Sequence, residues 1–302
     1  MNTYDLIIIG GGPAGLTCAL YACRANLNVL IIDSNTNGNK MSKIYSIENY
    51  PGFKQISGLE LLNNMIEQVK ALGVSIIDEQ VIQIKDKTVI LKNNQEFFGK
   101  AILIATGSKE RKLDLPLANE FEGKGISYCA TCDGFFFKNK DVVVIGDIEN
   151  ALQEALFLNN IVNKLYYVTG NNKLLGEQAN VERILHSDKI EILYSAIPNK
   201  LIIDNDKLIG LSVLNKETRE IKDLYCSGIF PYLSFNPSTS FLDKTLINDK
   251  GYIVVNEKMQ TKTPGIFAAG DCIDKTLRQI ITACSDGAIA ATSIIKYLRE
   301  NK

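Results

Sequence analysis

The chain has 302 residues, of which 46% are hydrophobic and 22% are charged, and its formal net charge is -1. This length exceeds what one hydrophobic core usually holds and predicts two domains, and the balanced charge gives no reason to expect a nucleic-acid partner. No apolar run approaches the ~20 residues of a membrane helix. An apolar strand follows Met1-Asn2-Thr3 directly, without an export signal. We therefore expect a cytoplasmic protein without a membrane partner, in a compartment where thiols stay reduced.

The N-terminal segment has the pattern of a dinucleotide-binding unit. Residues 4–9 form a short apolar run typical of a buried parallel strand, and residues 16–25 have the pattern of a helix. Between them, Gly10, Gly12 and Gly15 fit the roles of a tight turn, a close approach of backbone to pyrophosphate, and close helix packing. The helix N-terminus would add amide groups and a favourable dipole for the phosphates.

Later strand ends predict the rest of this site. The strand at residues 29–32 ends in an acid placed to bind a ribose hydroxyl pair, and the strand at residues 101–104 ends in a turn of small residues. Near the C-terminus, a buried strand ends in Gly-Asp, whose carboxylate can accept hydrogen bonds from a ribityl chain, before a helix that starts near Gln279. The residues predicted in this way are Asp33, Ala105, Thr106, Gly107, Gly270 and Asp271.

The sequence Cys129-Ala130-Thr131-Cys132-Asp133-Gly134 carries the clearest chemistry. Two thiols at this spacing can form a small, reducible disulfide, and the acid after the second cysteine can move a proton. The spacing also suits half of a zinc site, but the only histidine, His186, lies far away and has no partner motif, so we expect no metal. The other cysteines lie singly in apolar segments and are expected to be inert thiols: Cys18, Cys23, Cys226, Cys272 and Cys284.

The middle of the chain repeats the opening pattern with an altered turn. The apolar strand at residues 141–145 and its following helix echo the first unit, which predicts a second nucleotide-domain-like half. At the position of the second fingerprint glycine stands Ile148, which would obstruct the approach to pyrophosphate. Asp147 and Glu149 place two carboxylates beside the expected pyrophosphate site, and their negative charges would disfavour the binding of a dianion. The second half is therefore interpreted as a nucleotide fold without a nucleotide; NAD(P)H binding by an irregular route is the alternative.

Taken together, these motifs resemble the low-molecular-weight thioredoxin reductases over essentially the whole chain. The resemblance implies an α/β fold of two Rossmann-type, three-layer domains, with an FAD domain from residues 1–112 and 243–302 and an inserted CxxC-bearing domain, residues 113–242. It also implies a homodimer. The matching motifs are Gly10-Gly11-Gly12-Pro13-Ala14-Gly15, Glu48-Asn49-Tyr50-Pro51-Gly52, Ala105-Thr106-Gly107, the cysteine motif, Phe267-Ala268-Ala269-Gly270-Asp271 and Arg278-Gln279.

The resemblance assigns roles to these residues. Cys132 is implied to be the thiol next to the flavin, Cys129 the thiol that attacks the disulfide of thioredoxin, and Asp133 the acid. The FAD-binding residues that it implies are Gly10, Gly12, Pro13, Ala14, Gly15, Asp33, Ser34, Lys40, Asn49, Ala105, Thr106, Gly107, Gly270, Asp271, Arg278, Gln279 and Ile280.

The departures from the family pattern concern the electron donor. The second glycine fingerprint and a His-Arg-Arg segment for NADPH are missing, and the family's Gly-Gly-Gln segment is here Gly38-Asn39-Lys40. What remains is similar to the ferredoxin-dependent flavin thioredoxin reductases. We therefore expect FAD without NAD(P)H, thioredoxin as substrate and ferredoxin as donor. The alternatives are an NAD(P)H-dependent thioredoxin reductase with an atypical nucleotide site and, from another class, a flavin-binding redox sensor without turnover.

Overall fold

The structure is a computed structural model that describes residues 2–34, 40–44, 46–233 and 235–301. It divides into two compact units, Met1–Lys109 with Asn236–Lys302, and Glu110–Phe235. The sequence-based boundaries, after residues 112 and 242, place both crossings slightly later. Two short strands, Ser108–Glu110 and Phe235–Pro237, pair with each other at the crossings.

The elements are numbered in chain order. The strands are β1 Asn2–Ile9, β2 Val29–Ile32, β3 Ser75–Ile77, β4 Val81–Lys85, β5 Thr88–Leu91, β6 Glu96–Ile104, β7 Ser108–Glu110, β8 Asp141–Gly146, β9 Lys164–Val168, β10 Ile190–Leu193, β11 Ala196–Asp204, β12 Lys207–Asn215, β13 Ile221–Tyr225, β14 Gly228–Tyr232, β15 Phe235–Pro237 and β16 Ile266–Ala268. The α-helices are α1 Pro13–Arg24, α2 Gly58–Lys70, α3 Ala130–Asp133, α4 Glu149–Asn159, α5 Gln178–Leu185 and α6 Ile280–Glu300.

The first unit is built on a sheet with the order β3-β2-β1-β6-β5-β4 over the described residues, and β16 also pairs with β6. Strands β1, β2, β6 and β16 are parallel. Alternate residues of β1 enter two cores, because Leu6 and Ile8 pack under α1 and α6 while Ile7 and Ile9 face the opposite layer. Burial on both faces explains why these strands read as continuous apolar runs rather than alternating ones.

Helices α1 and α6 cross at close range. A Cβ at Gly287 would overlap the backbone carbonyl of Ala14, so only glycine permits this approach. The small residues of α6 therefore serve helix packing within the unit, where Ala283, Ala290 and Ala291 are buried. This crossing brings the N-terminal ends of both helices to the carboxyl ends of β1 and β16, which is where ligands bind in parallel sheets.

The second unit repeats the strand-helix-strand arrangement, as the sequence predicts. Its parallel sheet has the order β10-β9-β8-β14 among the described residues, and a separate antiparallel sheet has the order β11-β12-β13. Strands β12 and β13 and helix α5 were not predicted from the sequence. Strand β13 and helix α5 are largely exposed, so they lack the apolar run that marks a buried element. Within the described ranges, no helix is both long and apolar enough to cross a bilayer.

Candidate active site

The first glycine turn has the shape that the fingerprint predicts. Gly10 has a φ of +112°, and a Cβ there would overlap the carbonyl of Ala105. A Cβ at Gly15 would likewise overlap the carbonyl of Gly10, so the turn and the start of α1 are packed backbone to backbone. Around Gly12, by contrast, a Cβ would meet no atom of the described residues within 4 Å. This open space is where a phosphate could approach the backbone.

Asp33 lies beside this turn. Its carboxylate accepts the N–H of Gly11 at 3.1 Å, which fixes the acid at the end of β2 next to the start of α1. Pro13 is the first residue of α1, and Gly12 at the N-cap position carries no side chain to compete for the helix amides. The turn therefore presents N–H groups for an anion and an acid for a sugar hydroxyl.

The residues that follow β16 border the same glycine turn. Gly270 has a φ of +82°, and a Cβ there would lie 3.0 Å from the Cβ of Ala14. The next residue, Asp271, forms an ion pair with Lys40 at 3.6 Å, and both side chains are partly exposed. Gly38 and Asn39, the other residues of the altered family segment, lie outside the described residues.

Two further predicted residues are joined across the chain. The side-chain amide of Asn49 donates to the side-chain oxygen of Gln279 at 3.3 Å. Gln279 also caps α6 through a reciprocal pair with Thr282 and is followed by Ile280, the first residue of the helix. Segments 230 positions apart thus meet at the helix N-terminus.

Arg278 has an unused donor. Its guanidinium stacks on the ring of Tyr252 at 4.2 Å and donates to the carbonyl of Ile273 at 3.3 Å. Its Nε is buried and has no hydrogen-bond partner in the described structure. A buried guanidinium nitrogen without a partner is costly and indicates a missing acceptor, such as a phosphate oxygen.

The remaining predicted residues lie around the same sheet edge. The Thr106 hydroxyl donates to the carbonyl of Ser238 at 2.8 Å. Gly107 adopts a φ of +65°, where an added Cβ would meet nothing within 4 Å in the described part of the chain. Ser34 lies in an exposed turn after Asp33. The structure therefore brings the predicted FAD-binding residues of both chain ends to one region of the first unit.

An ion pair that was not predicted from the sequence lies next to Gly270. Asp286 is 8% exposed, and the same carboxylate oxygen accepts the N–H of Gly270 at 3.1 Å and the ammonium of Lys275 at 2.6 Å. In the sequence the two are only opposite charges at positions 275 and 286. Nothing in that spacing marks them as partners, because the pair forms when the chain folds back after β16.

The cysteine pair lies in the second unit. Cys129 and Cys132 form a disulfide with a Cα–Cα distance of 5.3 Å. Cys129 occupies the N-cap position of α3, and its sulfur accepts the N–H of Cys132 at 3.2 Å. The hydroxyl of Thr131 lies 3.3 Å from the same sulfur. Cys132 is exposed and Cys129 is half-buried.

Asp133 is held by a serine that sequence reasoning missed. The Ser127 hydroxyl donates to the Asp133 carboxylate at 2.7 Å, and Ser127 Oγ accepts the N–H of Cys129 at 3.1 Å. The hydroxyl of Tyr232 accepts the N–H of Ala130 at 2.9 Å. Ser127 is 5% exposed, so this network fixes the acid and the cysteine turn together.

The turn between β8 and α4 carries two carboxylates that are hydrogen-bonded within the protein. Asp147 accepts the hydroxyl of Thr169 and the N–H of Gly170, both at 2.7 Å, at the end of β9. Glu149 accepts the N–H of Glu177 and the side-chain amide of Asn180, both at 2.6 Å. Ile148 stands at the N-cap position of α4 and is 41% exposed. Both acids thus fill hydrogen-bonding positions beside the turn.

Comparisons with known proteins agree with this arrangement. Residues 4–287 match the family described as pyridine nucleotide-disulphide oxidoreductase. The thioredoxin reductase of Bacillus subtilis is 38% identical over 98% of this chain and 95% of its own length. The chain belongs to the low-molecular-weight thioredoxin reductase family.

Solved thioredoxin reductases differ in how well they match. The enzyme from Lactococcus lactis, in a structure titled as the FR conformation, superposes with a TM-score of 0.95 at 36% identity, covering 98% of this chain and 99% of that one. A ferredoxin-flavin thioredoxin reductase from Clostridium acetobutylicum gives a TM-score of 0.54 at 28% identity, covering 99% of both chains. The expected membership of the ferredoxin-dependent branch is therefore not supported.

Proposed function

We propose that this protein is an FAD-dependent disulfide reductase that reduces thioredoxin through Cys129 and Cys132. The observation that carries the proposal is the disulfide itself, with Asp133 held one residue away by Ser127 at 2.7 Å. A structural disulfide needs no neighbouring acid, whereas a disulfide that opens and closes needs a group that moves protons. The family membership and the glycine turn of the first unit support the same conclusion.

FAD fits the residues of the first unit. The open backbone at Gly12, the N-terminus of α1 and the Nε of Arg278, which has no partner among the described residues, would hold the phosphates. Asp33 would hold the ribose. Asp271 would accept a ribityl hydroxyl. When bound, FAD exchanges electrons singly or in pairs, which suits the two-electron chemistry of a disulfide.

The protein's own groups account for the thiol chemistry. Two electrons and two protons convert the Cys129–Cys132 disulfide into two thiols. The Cys132 N–H and the Thr131 hydroxyl would stabilise negative charge on the Cys129 sulfur, which favours Cys129 as the attacking thiolate. Its attack on the thioredoxin disulfide forms a mixed disulfide and releases one thioredoxin thiolate. Cys132 then attacks Cys129, which restores the disulfide and releases reduced thioredoxin. Asp133 would supply a proton to a leaving thioredoxin thiolate or remove one from an attacking enzyme thiol.

For the electron donor, the comparisons favour the alternative that the sequence analysis ranked second, a nicotinamide dinucleotide. The chain matches the pyridine nucleotide-disulphide oxidoreductase family over residues 4–287. Its match to the Lactococcus lactis thioredoxin reductase is also better than its match to the ferredoxin-flavin enzyme. We therefore propose NADPH or NADH as the first donor to test.

Ferredoxin is a second candidate because of the turn after β8. Asp147 already uses the Thr169 hydroxyl and the Gly170 N–H at the end of β9, so these donors are not available to a ribose or phosphate. The carboxylates of Asp147 and Glu149 would also repel a dianion at short range. A protein that donates electrons singly would not need a nucleotide-binding site at this turn.

The deciding experiment mixes the oxidised flavoprotein anaerobically with NADPH, NADH or reduced ferredoxin while the visible flavin band is followed. Rapid bleaching by a nicotinamide dinucleotide supports the first donor, and bleaching by ferredoxin alone supports the second. The double variant Asp147→Gly/Ile148→Gly gains nicotinamide bleaching only if the native turn obstructs binding. Asp206→Gly, at an exposed turn residue of the same unit with a φ of +58°, is the matched control.

We also propose that the protein is a homodimer. Helices α1, α2 and α6 of the first unit line an open groove of about 360 Å³ that includes Tyr21 and Ile281. These side chains are 49% and 41% exposed. Large apolar side chains grouped on one face favour burial against another chain.

A further inference from the structure

Asp286 is a buried carboxylate outside the residues that the family pattern assigns to FAD. It lies in the second turn of α6 and is 8% exposed. A buried carboxylate is costly unless it is paired and hydrogen-bonded. Here one oxygen receives both the Lys275 ammonium at 2.6 Å and the Gly270 N–H at 3.1 Å.

Lys275 is enclosed by the same cluster. Its side chain is 14% exposed, and its ammonium also lies 3.3 Å from the hydroxyl of Thr282. Thr282 forms the capping pair with Gln279 at the start of α6. The cluster therefore connects the turn after β16 to the first two turns of α6.

Both connected segments carry residues that would hold the flavin. Gly270 precedes Asp271, the proposed acceptor for the ribityl chain, and its φ of +82° is a conformation that few residues other than glycine adopt. The other end of the cluster reaches Gln279, which receives the Asn49 amide at 3.3 Å. A shift of the turn after β16 relative to α6 would change the distance between these two groups of flavin-binding residues.

We infer that Asp286, with Lys275 as its counterion, is a positioning residue for the flavin: its carboxylate holds the Gly270 N–H and so fixes Asp271 relative to the N-terminus of α6. The inference rests on the proposed function only in requiring that the protein binds FAD. Asp286 does not need to touch the cofactor. A pair that stabilised the fold alone would leave FAD affinity unchanged once the protein is folded.

The test compares two double variants that remove the ion pair equally. Asp286→Asn/Lys275→Met keeps an oxygen that can accept the Gly270 N–H, whereas Asp286→Ala/Lys275→Met has none. The dissociation constant of FAD is measured on apoprotein by flavin fluorescence, and the melting temperature of each apoprotein is measured alongside. Asp274→Ala removes an exposed carboxylate nearby that bonds only Asn248 in the described contacts, and it serves as the control.

We expect the Asn/Met variant to bind FAD within about threefold of the native protein and the Ala/Met variant to bind at least about tenfold more weakly, the usual effect of losing one hydrogen bond to a charged or buried group. Equal affinities in the two double variants would overturn the inference. If the Ala/Met apoprotein does not fold, the rate at which FAD leaves the FAD-loaded proteins replaces the titration: release as slow from Ala/Met as from Asn/Met overturns the inference, and release at least about tenfold faster supports it. A native protein that binds no FAD would instead overturn the proposed function.

Discussion

The two sulfurs of the cysteine pair are in different surroundings. The Cys129 sulfur faces an amide N–H at 3.2 Å and a hydroxyl at 3.3 Å, and it is half-buried. Cys132 is exposed. Donors aimed at a sulfur stabilise its thiolate form, and a stabilised thiolate is the attacking species in disulfide exchange. The local chemistry therefore supports a division of roles between the two cysteines.

Trapping distinguishes the roles of the cysteines. Cys132→Ser should form a stable mixed disulfide with thioredoxin through Cys129, because the resolving thiol is missing, and turnover should fall by at least about a hundredfold. Cys129→Ser should lose the same activity without accumulating the adduct. Non-reducing electrophoresis and mass spectrometry identify the linked residues, with Cys23→Ser as control. An adduct that forms equally well in Cys129→Ser would reverse the assignment.

The buried free cysteines should not react at neutral pH. Burial raises the pKa of the Cys272 thiol to about 11 and that of Cys226 to about 12. At pH 8 roughly one Cys272 side chain in a thousand is then a thiolate, and the fraction grows only as the pH rises toward 11. Iodoacetamide followed by peptide mass spectrometry should label Cys129 and Cys132 after reduction and leave Cys272 and Cys226 unlabelled. Labelling of Cys272 at a similar rate would show that this pKa is not raised.

At the scale of elements, one glycine of the turn between β1 and α1 is needed for packing and another for binding. Gly15 and Gly12 belong to one motif, yet a side chain at Gly15 would overlap the backbone of Gly10, while one at Gly12 would enter space that none of the described residues fills. The backbone of Gly12, with φ of -83° and ψ of -175°, is also one that other residues adopt. The two glycines are therefore required for different reasons.

Substitution at these glycines should give opposite results. Gly12→Val should leave the melting temperature of the apoprotein unchanged and weaken FAD binding by at least about a hundredfold, because its side chain fills the space for a phosphate. Gly15→Ala should destabilise the protein by about 1–3 kcal/mol through overpacking. Thermal unfolding and FAD titration measure the two effects. Normal FAD affinity in Gly12→Val would place the pyrophosphate elsewhere.

The same scale shows what the sequence could reveal. The β1-turn-α1-β2 segment was predictable because buried parallel strands are continuous apolar runs and glycines mark the turn. Helix α5 and strand β13 were missed because largely exposed elements leave a weak pattern, whereas β12 was missed although most of its residues are buried. The contacts of Asp286 could not be predicted, since they depend on segments that meet only in the folded chain. The contacts of Ser127 are local, with residues two and six positions later, but no sequence motif marks a serine at this position as the partner of the acid. The Asp147 and Glu149 carboxylates were predicted as obstacles, but not the internal hydrogen bonds that hold them.

At the scale of the whole molecule, the proposed function is divided between two units. The first unit, built from both chain ends, carries the predicted FAD residues, and the second carries the cysteine pair and Asp133. Each unit has its own apolar core. The exposed apolar groove is lined by residues of the first unit, so the side chains proposed for assembly are distinct from those proposed for the thiol chemistry.

Disruption of the groove should separate assembly from chemistry. We expect light scattering coupled to gel filtration to give twice the mass of one chain for the native protein, and Tyr21→Glu to give a single-chain mass, because a charge in an apolar interface is costly when buried without a partner. Tyr225→Glu is the control, since Tyr225 is 63% exposed in the second unit. The Tyr21→Glu variant should still form the Cys129–Cys132 disulfide, measured by thiol counting. A native protein that elutes as a single chain at micromolar concentration would contradict the dimer, and a dimer that persists in Tyr21→Glu would move the interface to another face.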